Sequence, residues 1–502
     1  MPPRLAMLVF LSLAQTFAYF VPAATWNPLS RLAATQSIVE RRSFALGDLA
    51  HATGDRALRE GRWYSDKAPL PSIAAAPAFA LMRWVQRSMH RPDPTFEASD
   101  ESGIVARRLE VSPELGQLLY VCSVATSGIA GSLLGLLLAR AIARRFGVRV
   151  AVASVFVVML GTPLFPYSTS FYGHVPAALA FTTALVLLDA ARPSERRLAT
   201  VGFALAVAVG CEYLSAIPSA VVGLGALHAG RARPARTLLA LVAGAAIPVA
   251  TIAFVHTVSF GSPLRTGYSF VTNPTFAAGH ARGFLGVGVP TWSSLAGLLI
   301  GERRGLFRVA PIALVGVVGL AFAIRARPQD RVVRLGAISA IALFLANAGY
   351  YMWWGGAATG PRHLVTVMPI LAFGVAELLV RPRTRALVGV VATASIASMI
   401  GFVAVGLEVP ESGDALFDYV VPELANGHVA LRRGASNLGL RLGLPNVASL
   451  GPWLVFLVLV GRAFVVGSRE DEDASDQRPD VGASVPESRG TGVPPPASPH
   501  AT

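Results

Sequence analysis

Lysine is almost missing from this chain of 502 residues: Lys67 is the only one among 43 Lys and Arg residues. A guanidinium is a planar fork and an ammonium a compact, strongly hydrated point charge, so the two are not interchangeable at a tight anion site. A genome-wide bias toward arginine is the plain alternative. The residue's company argues against it: Asp66 stands just before, and Pro69 and Pro71 just after, in a long polar loop. Charge is scarce too. Only 14% of residues are charged, against about 25% in soluble domains. With 53% hydrophobic residues and a mean hydropathy of +0.55, this excludes a soluble globular fold and points to a polytopic membrane protein. Cysteine is nearly absent, and Cys122 and Cys211 both fall in apolar runs. That excludes a disulfide framework and any CxxC-type metal site. The formal charge of +14 does not indicate nucleic acid, because the arginines sit in short clusters between apolar runs. Such clusters act as orientation signals and contacts to anionic membrane lipids. The glycine-rich stretch 283–288 has no strand before it and is not a phosphate loop.

What is present is a series of apolar runs. About 20 apolar residues cross a bilayer core. The candidate spans are 5–24, 115–139, 149–166, 174–191, 198–211, 213–229, 237–257, 307–324, 333–352, 363–380, 386–406 and 449–467. They predict an all-α polytopic membrane protein of about 12 transmembrane helices. Arg140, Arg144, Arg145 and Arg149 follow the second span, and Arg192, Arg196 and Arg197 the fourth. Arg231, Arg233 and Arg236 follow the sixth, Arg325, Arg327, Arg331 and Arg334 the eighth, and Arg381, Arg383 and Arg385 the tenth. All five clusters fall on one side, which the positive-inside rule makes cytoplasmic, with both termini. The first span reads as a retained anchor, since its basic flank is only Arg4 and 23–25 is a poor cleavage site. Residues 1–467 then form the membrane domain, with outer segments at 25–114, 258–306 and 407–448. Within the first, 69–85 is apolar, short and carries three prolines. It predicts a helix lying at the outer interface, with Arg83, Trp84 and Arg87 at the headgroups. Residues 468–502 read as a disordered cytoplasmic tail.

Chemistry-bearing residues gather on the outer side. They include Glu40, Asp48, Asp55, Glu60, Tyr64, Asp66 and Lys67 in the first loop, then Tyr172 and His174, then Glu212. Tyr268, His280, Arg303 and Arg304 follow, and Tyr350, Tyr351, Trp353, Trp354, Arg362 and His363 join the ninth and tenth spans. Ionisable groups at a membrane edge are costly, which makes them functional candidates. Each has a plainer reading. The Tyr and Trp cluster fits an aromatic belt. His174 fits a satisfied helix-end histidine, and Glu40 fits a partner for Arg41 or Arg42.

Five segments in order carry a resemblance. These are Glu40 after the first span; Gly61-Arg62-Trp63-Tyr64 running into Asp66-Lys67-Ala68-Pro69-Leu70; Phe260-Gly261-Ser262-Pro263; Arg304-Gly305-Leu306-Phe307 with Pro311; and Trp353-Trp354-Gly355-Gly356 with Gly360-Pro361-Arg362-His363. Over most of 1–380 the chain resembles the GT-C membrane glycosyltransferases, in the bacterial branch related to protein O-mannosyltransferases and lipid A aminoarabinose transferases. Where that family has an acidic pair after the first span, this chain has a lone Glu40 followed by Arg41; at the second acidic position stands His174. The resemblance implies transfer of a sugar from a polyprenyl-phosphate donor to a glycan, lipid or protein hydroxyl at the outer face of the cytoplasmic membrane. No cofactor is implied, and a divalent metal is left open.

In that chemistry a phosphate leaves, so cations stabilise the developing charge. Lys67 is the first candidate, with Arg303, Arg304 and Arg362 assisting. The acceptor hydroxyl needs a base, for which Glu40 is the first choice and Asp66 the second. Tyr64, Tyr172, His174, Tyr268, Trp353, Trp354 and His363 are candidates for substrate contact. Two other readings stay open here. A transporter fits twelve spans but should show an internal repeat and a long central cytoplasmic connection, and neither is visible. A non-catalytic envelope or sugar-lipid-binding protein fits the missing second acid.

Overall fold

The computed structural model describes residues 1–99, 108–190, 193–430 and 434–476. Arg192, Asp100 and 477–502 of the expected tail therefore lie outside the described residues, while the last helix, Gly451–Asp476, runs into that tail's first part. Each of the twelve apolar runs coincides with helix. Among the described residues, six helices are long and apolar enough to cross a membrane by length and composition: Pro113–Phe146, Pro234–Phe260, Arg331–Gly349, Arg362–Leu379, Pro382–Val405 and Asn446–Phe464. Four shorter apolar helices, Val148–Gly161, His174–Leu187, Tyr213–Ala229 and Ile312–Ala326, complete much of the bundle. Helix length alone thus supports a multi-pass membrane fold without fixing the number of spans at twelve.

Small residues let the helices approach. A Cβ on Gly202 would lie 2.0 Å from Leu241 O, and one on Gly244 1.8 Å from Ala199 O. The Glu195–Cys211 and Pro234–Phe260 helices therefore meet backbone to backbone, as membrane helices do when dispersion replaces the hydrophobic effect. The Arg-rich loops meet at one end of the bundle. Arg145 pairs with Asp189 at 2.7 Å and with Asp330 at 2.8 Å. Arg327 and Arg381 share Glu377, and the Arg327 guanidinium lies over the Phe146 ring. Arg236 lies 3.9 Å from Glu195. Residues from all five Arg-rich connections are in this way tied together.

The first long segment packs at the other end. Its Trp26–Gln36 helix and Leu70–Ser88 helix share a core with the start of Pro113–Phe146: Leu29, Leu32, Phe79, Leu115, Leu118, Cys122 and Phe171 are all buried together. Between the two helices lies an antiparallel hairpin, Arg56–Arg59 with Arg62–Ser65. One expectation fails here. Arg83 does not face headgroups; it is 5% exposed and bonds Glu40 at 2.8 Å, Asp93 at 2.8 Å and Gln86 at 3.2 Å. A buried guanidinium needs such partners for its donors. Trp84, at 65%, is exposed, and so is Arg87, one turn after Arg83 and also paired with Glu40. Cys122 and Cys211 are free and buried.

Candidate active site

The site begins with a turn. Glu60 and Gly61 connect the paired Arg59 and Arg62, and both have positive φ, 50° and 74°. A two-residue hairpin loop of that kind matches the twist of its strands, and it sets the register. Arg56 then faces Ser65, so Asp55 and Asp66 emerge side by side at the open end of the hairpin. Lys67 lies between them. Its Nζ is 3.1 Å from Asp55 Oδ2 and 3.3 Å from Asp66 Oδ2. All three side chains are largely buried. Burial pushes the Asp66 carboxyl up to about 6 against the pull of Lys67, with the charge of Asp55 adding to the rise.

Lys67, Asp55 and Asp66 line a polar cavity with residues from distant parts of the chain: Asn27, Arg31, His174, Glu212, Tyr268, His280, Tyr350, Tyr351, Arg362 and His363. Asn27 and Arg31 are one turn apart on the Trp26–Gln36 helix, so they share a face. Arg31 Nε donates to Asn27 Oδ1 at 3.0 Å and its Nη1 to Ala68 O at 3.0 Å, which holds the guanidinium at the cavity wall. His174 begins its helix directly after Gly173. Its Nδ1 lies 3.1 Å from Glu212 Oε2, and Tyr172 stacks on its ring at 5.6 Å. The segment 258–306 closes the other wall. Tyr268 stacks on His280 at 4.1 Å, and Tyr351 Oη is 3.4 Å from His280 Nε2. Burial, with the charge of Lys67 adding, lowers His280 to about 4, so its ring is neutral at neutral pH. Several buried polar atoms on this lining have no hydrogen-bond partner among the described residues: Asp66 Oδ1, Arg362 Nε and both ring nitrogens of His174 and of His363. Native proteins leave few such atoms without a partner. A second chamber, sharing Asn27, Asp55 and Arg362, adds Trp26, Tyr172, Glu408 and Glu411.

Of the residues expected from sequence, Asp66, Lys67, His174, Tyr268, Arg362 and His363 come together in this cavity, and Tyr172 lines the adjoining chamber. The others stand elsewhere. Glu40 is not on the lining; it bonds Gln36 at 2.9 Å and pairs with Arg83 and Arg87. Arg304 is fully buried and donates to the carbonyls of Arg303, Gly356, Val409 and Pro410, so it ties two loops together rather than facing the cavity. Arg303 is exposed. Tyr64 packs on Phe260 at 5.8 Å. Trp353 covers Gly297, and Trp354 Nε1 donates to Glu411 at 3.1 Å. Sequence reasoning missed Asn27 and Arg31, and it named Asp55, Glu212, His280, Tyr350 and Tyr351 among the outer-side candidates without giving them a role in the site. Among the described residues no group of three or more His, Cys, Asp and Glu side chains is arranged to hold a metal ion. An ammonium already fills the place between the two adjacent aspartates.

A similar overall fold occurs in ArnT from Cupriavidus metallidurans, in a crystal structure with undecaprenyl phosphate bound. The match has a TM-score of 0.51 at 15% identity and covers 91% of this chain and 77% of that one. The chain shares the overall fold of that protein. The apo structure of the same ArnT matches with a TM-score of 0.48 at 16% identity, over 90% of this chain and 74% of that one. The apo oligosaccharyltransferase from Archaeoglobus fulgidus matches with a TM-score of 0.40 at 14% identity, over 88% and 58%. The sequence matches no family model and no curated protein. In this chain the polar cavity lies where the capping segment meets the helix ends, formed by residues from at least five elements.

Proposed function

We propose that this protein transfers a sugar from a polyprenyl-phosphate donor to an acceptor hydroxyl of a glycan, lipid or protein. The observation that carries this reading is the cavity itself. Arg31, Lys67 and Arg362 line it beside buried polar atoms without partners, a setting suited to a phosphate and its sugar. An almost wholly apolar groove between the Ile312–Ala326 and Arg331–Gly349 helices supports the lipid half. It is lined by Phe307, Leu320, Ile324, Ala340, Phe344 and Leu371, and it reaches Leu364, which follows Arg362 and His363. An isoprenoid chain there leaves its phosphate near the cations. The neighbour with bound undecaprenyl phosphate is consistent with such a carrier.

In this reading Lys67 and Arg362 face the leaving phosphate, and Arg31 completes the positive wall. Asp55 and Asp66 hold the Lys67 ammonium in place and do not take the acceptor's proton. Glu40 is a structural partner of Arg83. Tyr172, Tyr268 and Trp26 provide flat faces for a sugar ring. The Arg-rich end of the bundle is cytoplasmic and the cavity opens on the outer face of the cytoplasmic membrane, with both termini inside. The test is direct. Purified protein in lipid nanodiscs is incubated with synthetic polyprenyl-phosphate sugars, and free polyprenyl phosphate is measured. The wild type should release it from at least one donor, and Lys67→Ala should release far less. A wild type that binds no polyprenyl phosphate and consumes no donor would refute the proposal.

A further inference from the structure

We propose that His174 and Glu212 form the base dyad of this site: His174 takes the proton of the acceptor hydroxyl, and Glu212 is the residue that positions and charges it. The proposal rests on the glycosyltransferase reading above. It answers a question that reading leaves open, since the carboxylates expected to act as base are otherwise engaged. Glu40 is off the cavity, and Asp55 and Asp66 both hold Lys67.

Geometry favours the dyad. His174 and Glu212 line the same cavity as Lys67 and Arg362, and they are only 2% and 9% exposed. They come from different parts of the chain. His174 opens one helix, and Glu212 lies between Cys211 and Tyr213, where two others meet. Their approach depends on Gly173, because a Cβ there would sit 1.9 Å from Cys211 O. The Nδ1–Oε2 separation is 3.1 Å, within ion-pairing distance, although the ring lies off the hydrogen-bond line. Catalytic pairs often tighten only when substrate is present. The ring orientation is held by Tyr172 stacked on one face and by Tyr167 edge-on at 5.2 Å. Nε2 has no hydrogen-bond partner among the described residues. Two other imidazoles line the cavity, but neither is paired with a carboxylate: His280 faces Tyr351 Oη, and His363 packs at 6.0 Å from His174. An imidazole with a carboxylate behind it and a free nitrogen in front is the arrangement by which a base is oriented and its cationic form stabilised.

The step balances as follows. The acceptor oxygen uses a lone pair to bond the anomeric carbon, and the anomeric carbon–phosphate oxygen bond breaks. Polyprenyl phosphate leaves with that electron pair, beside Lys67 and Arg362. The acceptor proton passes to His174 Nε2, and the imidazolium is stabilised by Glu212 until the proton goes to water. Glu212 favours that cation, while burial of the ring and the nearby Arg362 and Arg31 guanidiniums oppose it.

The test uses the full chain in nanodiscs with a synthetic polyprenyl-phosphate sugar that the wild type consumes, followed by polyprenyl phosphate release against pH. His174→Ala should lose about 10²- to 10⁴-fold in kcat, with the loss outside the donor KM, and added imidazole should restore part of it. Glu212→Gln should lower the plateau rate and move the acid limb of the profile to lower pH, because the carboxylate no longer favours the imidazolium. A folded His174→Ala within threefold of wild type would overturn the dyad, and so would a Glu212→Gln profile with an unmoved acid limb. If His174→Ala fails to fold, the Glu212→Gln profile decides alone. A wild type inert toward every donor would sink the glycosyltransferase reading and the dyad together, whereas an active wild type indifferent to His174 would sink only the dyad.

Discussion

At the scale of single residues, Lys67 is where composition and structure meet. Its ammonium is shared by two buried carboxylates and faces a cavity with two guanidinium residues. Removing one partner of a buried pair costs about 3–5 kcal/mol, because the remaining charge stays buried. Lys67→Ala should therefore lower Tm clearly. If Lys67 also contacts the donor phosphate, the same variant should lose roughly 10- to 150-fold in donor use, from about 1.5–3 kcal/mol per charged hydrogen bond. Lys67→Arg should restore more of the Tm than of the activity, since a planar fork cannot replace a point charge between two aspartates without moving them. Equal activity of all three proteins, measured against donor concentration, would mark the lone lysine as a product of codon bias.

Asp66 gives a pH test of the same cluster. Its carboxyl keeps a proton up to about pH 6 in the folded protein and releases it near 3.8 when unfolded. The folded state thus binds more protons between those values. The stability this group contributes is complete below about 3.8 and is lost as pH rises through about 6. Tm of the wild type should fall between pH 4.5 and 7 by more than Tm of Asp66→Asn does. Parallel curves for the two proteins would remove Asp66 as the cause.

At the scale of elements, two glycines place the chemistry. Gly61 sits at the hairpin tip with φ at 74° and open space around it, so Gly61→Ala should cost only the backbone penalty of about 1–2 kcal/mol and leave activity nearly intact. Gly173→Ala meets the Cys211 carbonyl instead and must push the His174 helix away from Glu212. It should cost activity far more than Gly61→Ala does. A similar loss for the two variants, assayed side by side, would mean that the approach of these helices does not matter to the reaction. The hairpin was legible in principle. Asp55 and Asp66 stand five residues from Glu60 and Gly61 respectively, and a two-residue turn there pairs them. The reading of 25–114 as interfacial helices overlooked it because strand signals of four residues are weak beside long apolar runs.

At the scale of the molecule, the ion pairs that tie the Arg-rich connections together lie at the end of the bundle away from the cavity. A reporter after Arg236 should be cytoplasmic, and one at Asp100 external, as the positive-inside rule requires. The opposite pattern would place the cavity on the cytoplasmic side.

The amino-acid sequence by itself determined the membrane class and the positions of the apolar helices, because hydrocarbon selects long apolar helical runs whatever their neighbours are. It also singled out Lys67, His174 and Arg362. It could not decide which polar residues share a site. Asp55 and Asp66 meet through a turn, His174 and Glu212 through a glycine contact, and Arg31 through the fold of the capping segment. Glu40 and Arg304 carry the same side-chain chemistry as the site residues but are held off the lining by contacts that include Arg83 and Gly356, 43 and 52 residues away. Membership of a site depends on contacts between distant segments, and only the packed chain sets those.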